Sequence, residues 1–142
     1  MIIVFNTDES HTKLIEYYDK KNITILNDIR QINALKHNAL SKHFNTIVFE
    51  NTADTILLYE AQNPVFTNLI CFDPILDKSI FILHLLKSNI VFYLTKKFIK
   101  NNYNLYKTIM SLENNKISVI LTNKYPSSKK AIKEVIRHIE IQ

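Results

Sequence analysis

The chain has 142 residues and a formal net charge of +5, with 46% hydrophobic and 22% charged residues and neither glycine nor tryptophan. That length suits one ordinary domain, and that apolar fraction excludes an intrinsically disordered chain. The lack of glycine excludes glycine-rich phosphate loops, the dinucleotide-binding fingerprint and the nucleophile elbow, all of which need glycine where the backbone turns sharply or approaches a ligand.

Isoleucine, asparagine and lysine number 22, 16 and 16, against 2 arginines, a skew that the codon bias of an AT-rich genome would produce. Six continuously apolar runs, rich in β-branched and aromatic residues, punctuate the chain. Each reads as a strand covered on both faces. The first, Ile2–Phe5, is too short and lacks the basic leader of a secretory signal. The second is Ile23–Leu26, and a helix over 28–44 is expected to place Ile29, Ile32, Leu35, Ala39 and Leu40 on one side. The third run, 47–49, precedes a weak helix over 52–62 that Asn63-Pro64 ends.

The fourth run, 69–72, contains the only cysteine, Cys71. An intrachain disulfide is therefore excluded, and a small core residue in a reducing cytosol is expected. A long helix over 75–88 follows. Its apolar stretch 80–86 includes His84 and is far shorter than a membrane span. Run 90–94, a helix over 97–113 and run 117–121 come next. The helix presents Phe98, Ile99, Leu105, Tyr106, Ile109 and Met110. Pro126-Ser127-Ser128 opens a last helix whose stripe is Ala131, Ile132, Val135, Ile136 and Ile139. Packing of this stripe on a sheet is favoured over membrane insertion. Strand–helix alternation predicts a single domain over 1–142, an α/β fold with a three-layer doubly wound, mainly parallel sheet of five to six strands.

Ligands of open α/β sheets bind outside the carboxyl ends of the strands. The residues after the runs make Asn6, Asp8, Asp28, Glu50, Asp73, Thr95 and Lys96 the candidate ligand-binding set. Several converging carboxylates there would suit Mg²⁺ and phosphate chemistry. The five histidines show no metal-ligand spacing, and His84 is expected to be a hydrogen-bonded core or boundary residue. Ser10-His11, adjacent in sequence, is not a catalytic pair. No catalytic residue, metal or cofactor is assigned.

Charge is uneven. Residues 1–73 carry 6 basic and 9 acidic side chains, and residues 74–142 carry 12 and 4. The basic half offers Lys97, Lys100, Lys107, Lys129, Lys130, Lys133 and Arg137 to an acidic partner or nucleic acid.

Three resemblances attach to these residues. Asn6-x-Asp8-x-Ser10 after a strand resembles the haloacid dehalogenase superfamily, with Asn6 where the nucleophilic aspartate belongs. Glu50 after the third strand and Lys96 after the fifth resemble a receiver domain that lacks its phosphoacceptor aspartate. Over residues 44–135 the order of Ile47-Val48-Phe49-Glu50-Asn51-Thr52-Ala53, Asn68-Leu69-Ile70-Cys71-Phe72-Asp73-Pro74 and Ile90-Val91-Phe92-Tyr93-Leu94-Thr95-Lys96 is similar to the ParA/MinD-type deviant P-loop ATPases. The segment 103–112 and the strand 116–122 continue that order. That family's phosphate loop would fall on Asn6-Thr7-Asp8-Glu9-Ser10-His11-Thr12-Lys13, where glycine is missing and Asp8 and Glu9 repel a nucleotide. The resemblance implies a non-hydrolysing relative with a localisation or adaptor role. The expected function is therefore a non-catalytic cytoplasmic module working through protein–protein contacts, with self-association compatible. Nucleic-acid association through the basic half and Mg-dependent phosphate chemistry are the alternatives.

Overall fold

The computed structural model describes residues 2–5, 23–26, 28–34, 44–123 and 137. Six strands form one sheet: β1 (Ile2–Phe5), β2 (Ile23–Leu26), β3 (Phe44–Phe49), β4 (Phe66–Phe72), β5 (Asn89–Thr95) and β6 (Ile117–Thr122). Their order is β2-β1-β3-β4-β5-β6, and every pairing is parallel. The predicted α/β class and parallel sheet are thus observed. The strand order reverses between β1 and β3, the topological switch of a doubly wound, Rossmann-like sheet.

Continuous apolarity has the cause expected of it. Successive strand residues point to opposite faces, and both faces are buried. On one face Ile3, Val48, Leu69, Cys71, Phe92 and Leu94 join a core with helical side chains. On the other, Val4, Ile47, Ile70 and Val91 pack with an aromatic row. In that row the Phe49, Phe72 and Tyr93 rings stack at centroid separations of 5.7 and 4.9 Å. Cys71 is fully buried, as expected, and burial pushes its thiol well above the ordinary range.

The described helices are α1 (Glu50–Gln62), α2 (Lys96–Asn101) and α3 (Tyr103–Ser111). Ala53, Ile56 and Leu57 of α1, Phe98 of α2 and Ile109 of α3 all enter the first core. Helix α1 begins two residues before its predicted start and ends where Pro64 forces Asn63 out of helical geometry (φ −134°, ψ 78°). Among the described residues of the predicted helix 28–44, a 3-10 turn spans Ile29–Gln31 and helical backbone continues to residue 34. Asp28 caps this turn, accepting from the backbone N–H of Arg30 at 2.8 Å. Residues 35–43 of that helix, and the stripe from Ala131 to Ile139, lie outside the described residues, whereas its expected last residue, Phe44, instead opens β3 and pairs with Phe66.

Two expectations are corrected. The segment 75–88 is not a long helix but a strap with two 3-10 turns, Ser79–Phe81 and Leu83–Leu85. The Asp54 carboxylate takes the N–H groups of Asp77 and Ser79. Phe81, Ile82, Leu85 and Leu86 then close bonds three residues back instead of four. His84 consequently stands exposed on the strap and not in the core. The predicted helix 97–113 is two helices, broken at Asn102 (φ −134°, ψ 50°). There both the backbone N–H and the side-chain amide of Asn102 donate to the Phe98 carbonyl, a local competition typical of asparagine.

The turn from α3 into β6 is fixed by side chains. Asn114 Oδ1 accepts from the N–H groups of Lys116 and Ile117, and Glu113 Oε2 accepts from that of Val119.

Candidate functional site

Glycine would be the ordinary residue where a strand turns tightly into a helix or loop. This chain has none, and two acidic residues take those positions instead. Glu50 at the end of β3 has φ 48° and Asp73 at the end of β4 has φ 42°. Aspartate tolerates this left-handed region through local hydrogen bonding, whereas for glutamate it costs about 1–2 kcal/mol. The positions are held by what precedes them. Phe49 and Phe72 are locked in the aromatic row, and the N–H of Ile75 donates to the Glu50 carbonyl at 3.1 Å.

Both turns open onto a cleft of about 810 Å³ above the carboxyl ends of β3, β4 and β5. Glu50, Asp73 and Thr95 line it together with the apolar Ile75 and Phe98. Lys96 and Lys97, the first two residues of α2, line it too, as do Asn51, Asn101, Asn102 and Asn123.

Asp73 is the organising group. Only 8% exposed, it accepts from the backbone N–H of Thr95 at Oδ1 and from the Thr95 hydroxyl at Oδ2, both at 2.8 Å. The Thr95 oxygen also accepts from the N–H of Phe98, capping α2 at 3.2 Å. One carboxylate therefore fixes the end of β5 and the start of α2 together. Burial pushes the Asp73 carboxyl up, and the nearby Glu50 charge adds to that rise. The Thr95 hydrogen bonds oppose it without cancelling it, so the group sits above the usual carboxylate range.

Of the sequence-derived candidates, Glu50, Asp73, Thr95 and Lys96 come together in this cleft. Asp28 does not. It lines a smaller cleft of about 390 Å³ at the β1/β3 switch, with Phe5, Ile29, Asn51, Thr52 and Thr55. Its carboxylate forms a bidentate pair with the Arg30 guanidinium, 2.7 Å at the shortest. That hydrogen-bonded pairing holds Asp28 down at about 2. Asn6 and Asp8 lie outside the described residues. The convergence of several carboxylates on a metal is not observed among the described residues, where no group of three or more metal-ligating side chains is assembled.

In the basic set, Lys97 lines the large cleft, Lys100 is exposed on α2, and the Lys107 ammonium stands 5.6 Å above the Tyr103 ring. Arg137 is exposed, and Lys129, Lys130 and Lys133 lie outside the described residues. Sequence reading missed Asn101 and Asn102 as cleft residues. The adjacent asparagines inside an otherwise helical segment were the available signal, since asparagine favours breaks and caps.

The fold and cleft define a Rossmann-like α/β protein. Among its described residues no helix is long and apolar enough to cross a membrane. No family model, curated protein or solved structure matches the chain.

Proposed function

We propose that this chain is a non-catalytic α/β module acting as an adaptor or localisation factor through protein–protein contacts. One observation carries the reading. The strap between β4 and β5 presents Phe81 at 76% and Leu85 at 63% exposure on consecutive turns, while Leu83 and Leu86 beside them are buried. Large apolar side chains displayed on a short, pinned segment suit an interaction site. The acidic groups support the same reading. Asp28 is engaged by Arg30 and Asp73 by Thr95, so each already serves the fold. A degenerate ParA/MinD-like origin, resting on the order of elements over 44–135, would agree with such a role.

The test is purification of the chain from its native cell beside a Phe81→Ser, Leu85→Ser double variant. The wild type is expected to retain a stoichiometric partner that the variant loses at unchanged thermal stability. A partner retained by the variant, or none with either protein, overturns the reading.

Nucleic-acid association remains the second reading, and the exposure of Lys96, Lys97, Lys100 and Lys107 beside Tyr103 on α2 and α3 favours it. Its signature is single-strand binding that weakens steeply with salt and with Lys100→Ala, Lys107→Ala.

A further inference from the structure

The outer edge of β6 divides into two halves. The N–H of Ile90 donates to the Lys116 carbonyl, and Ile90, Phe92 and Leu94 of β5 stand in parallel register with Ile117, Val119 and Leu121. In such a ladder alternate residues turn both backbone groups away from the neighbouring strand. Ile117, Val119 and Leu121 therefore face outward, and Asn123 is next in that alternation. The chain's own turn closes the first half. Asn114 gives its N–H to the Ile117 carbonyl and accepts the Ile117 N–H at its side chain, and Glu113 accepts that of Val119. The second half is open: the Val119 carbonyl, both backbone groups of Leu121 and the N–H of Asn123 have no partner among the described residues. Leu121 stands there 56% exposed, on a strand without charge.

We infer that this open half is where two copies of the chain meet, β6 of each lying antiparallel to β6 of the other across a two-fold axis at Leu121. The open groups are self-complementary under that symmetry. Residues opposite each other at hydrogen-bonded positions of an antiparallel pair exchange both bonds. With Leu121 opposite Leu121 of the second copy, each N–H meets the other's carbonyl. Val119 then faces Asn123 of the second copy, whose N–H reaches the open Val119 carbonyl. No bond in this arrangement needs the N–H that Glu113 already holds. An axis at Val119 would instead set two engaged N–H groups against each other. The two Leu121 side chains lie on one face, about 5 Å apart at Cβ, and cover each other. A second copy fits this edge better than a flexible segment of another protein. So few backbone bonds return less in water than the conformational entropy lost in ordering a flexible strand, whereas β6 is already held by β5. A two-fold contact also closes on itself and joins only two copies. The inference goes beyond the adaptor reading and stands on different residues, since the strap side chains Phe81 and Leu85 take no part.

The test is sedimentation equilibrium of the intact chain from about 10 to about 500 μM, a range that spans a dimer dissociation constant near 100 μM. The wild type is expected to pass from monomer to dimer, and the Phe81→Ser, Leu85→Ser variant to do the same. Leu121→Lys and Leu121→Glu each set like charges against each other across the axis. Either variant alone is expected to stay monomeric, and an equal mixture of the two to dimerise again. Leu121→Pro removes the outward N–H while sparing the bonds to β5, and is expected to lose the dimer at unchanged far-ultraviolet circular dichroism. The charged variants stand on their own if proline disturbs β6. A wild type that stays monomeric leaves the edge to a different protein and overturns the proposal. So does a dimer that persists in either charged variant alone or in a folded Leu121→Pro, one that the mixture fails to restore, or one that the strap variant loses.

Discussion

A buried carboxylate stands at each end of β4, and the two are held in opposite ways. At the start of the strand, Glu60 reaches from α1 and is only 2% exposed. It accepts from the N–H groups of Val65 and Phe66 and from the Ser88 hydroxyl at 2.9–3.2 Å. Every one of those donors belongs to the turn into β4 or the segment leading into β5. At the finish, Asp73 takes its two bonds from one residue, Thr95, and lies against an open cleft beside a second carboxylate. The same chemical group thus seals the structure at one end and borders an open cleft at the other. The number of internal donors decides which, because a buried carboxylate whose hydrogen-bonding capacity is filled by its own chain has little left to offer.

Removing the sealed carboxylate should have the largest effect. Glu60→Ala strips the acceptor from two buried N–H groups at about 1–3 kcal/mol each, so urea unfolding should show a loss of about 3–5 kcal/mol. Glu60→Gln, which keeps one acceptor oxygen, should lose less than half of that. A loss under about 1 kcal/mol for Glu60→Ala would erase the contrast between the two ends.

Next in size is Asp54, which ties α1 to the strap through Asp77 and through the N–H and hydroxyl of Ser79. Asp54→Ala should cost about 2 kcal/mol at neutral pH. Burial pushes the Asp54 carboxyl up, but the hydrogen bonds from Ser79, Asp77 and the Lys78 backbone outweigh it and leave the group below its ordinary 3.8. Its stabilisation is therefore complete above that value and is lost as pH falls through the depressed folded value. Chemical denaturation between pH 5 and pH 2 should show this acid limb in the wild type and a flatter one in Asp54→Asn.

Asp73 should behave with the opposite sign and a smaller amplitude. Its folded value is raised, so the ionised group disfavours folding at neutral pH. Acidification from the folded value towards the ordinary 3.8 then recovers stability. Asp73→Asn should change neutral stability by no more than about 1 kcal/mol, since an amide oxygen still accepts from Thr95, and should abolish that recovery.

The smallest effect belongs to Glu50→Gly. Relief of the left-handed backbone, about 1–2 kcal/mol, is offset by glycine's extra freedom in the unfolded chain, about 0.4–1 kcal/mol. The net gain should be about 0.5 kcal/mol, read as a rise in the urea midpoint at unchanged slope. A loss would mean that the Glu50 side chain contributes more to the fold than its backbone costs.

The sheet was legible in the sequence because two-sided burial writes itself as unbroken apolar runs, and every one of the six runs lies within an observed strand. Part of the cleft was legible too, since Glu50, Asp73, Thr95 and Lys96 stand where strands must turn polar. The strap was not, because Leu76, Leu83 and Leu86 are buried at spacings that also fit an α-helix. What overrides that spacing is Asp54, distant in sequence, claiming two of the strap's N–H groups. Nor could the divided fate of the carboxylates be read. Nothing local distinguishes Asp28, paired with an arginine two residues away, from Asp73, whose partner Thr95 lies on another strand. The lack of glycine misled in one respect: it does exclude a phosphate loop, yet Glu50 and Asp73 still adopt positive φ.

The turn from α3 into β6 has a consequence for how copies of the chain meet. Among the described residues β6, Ile-Ser-Val-Ile-Leu-Thr, ends the sheet, without charge or proline, and Leu121 on it is 56% exposed. Such a margin ordinarily invites another chain to add a strand, the first step towards fibrous aggregates. Ile117 and Val119, which would offer their N–H groups outward to a newcomer, have already given them to Asn114 and Glu113. Two side chains from the preceding turn thus take up two N–H groups that an added strand would need, and they weaken this margin as a template for pairing.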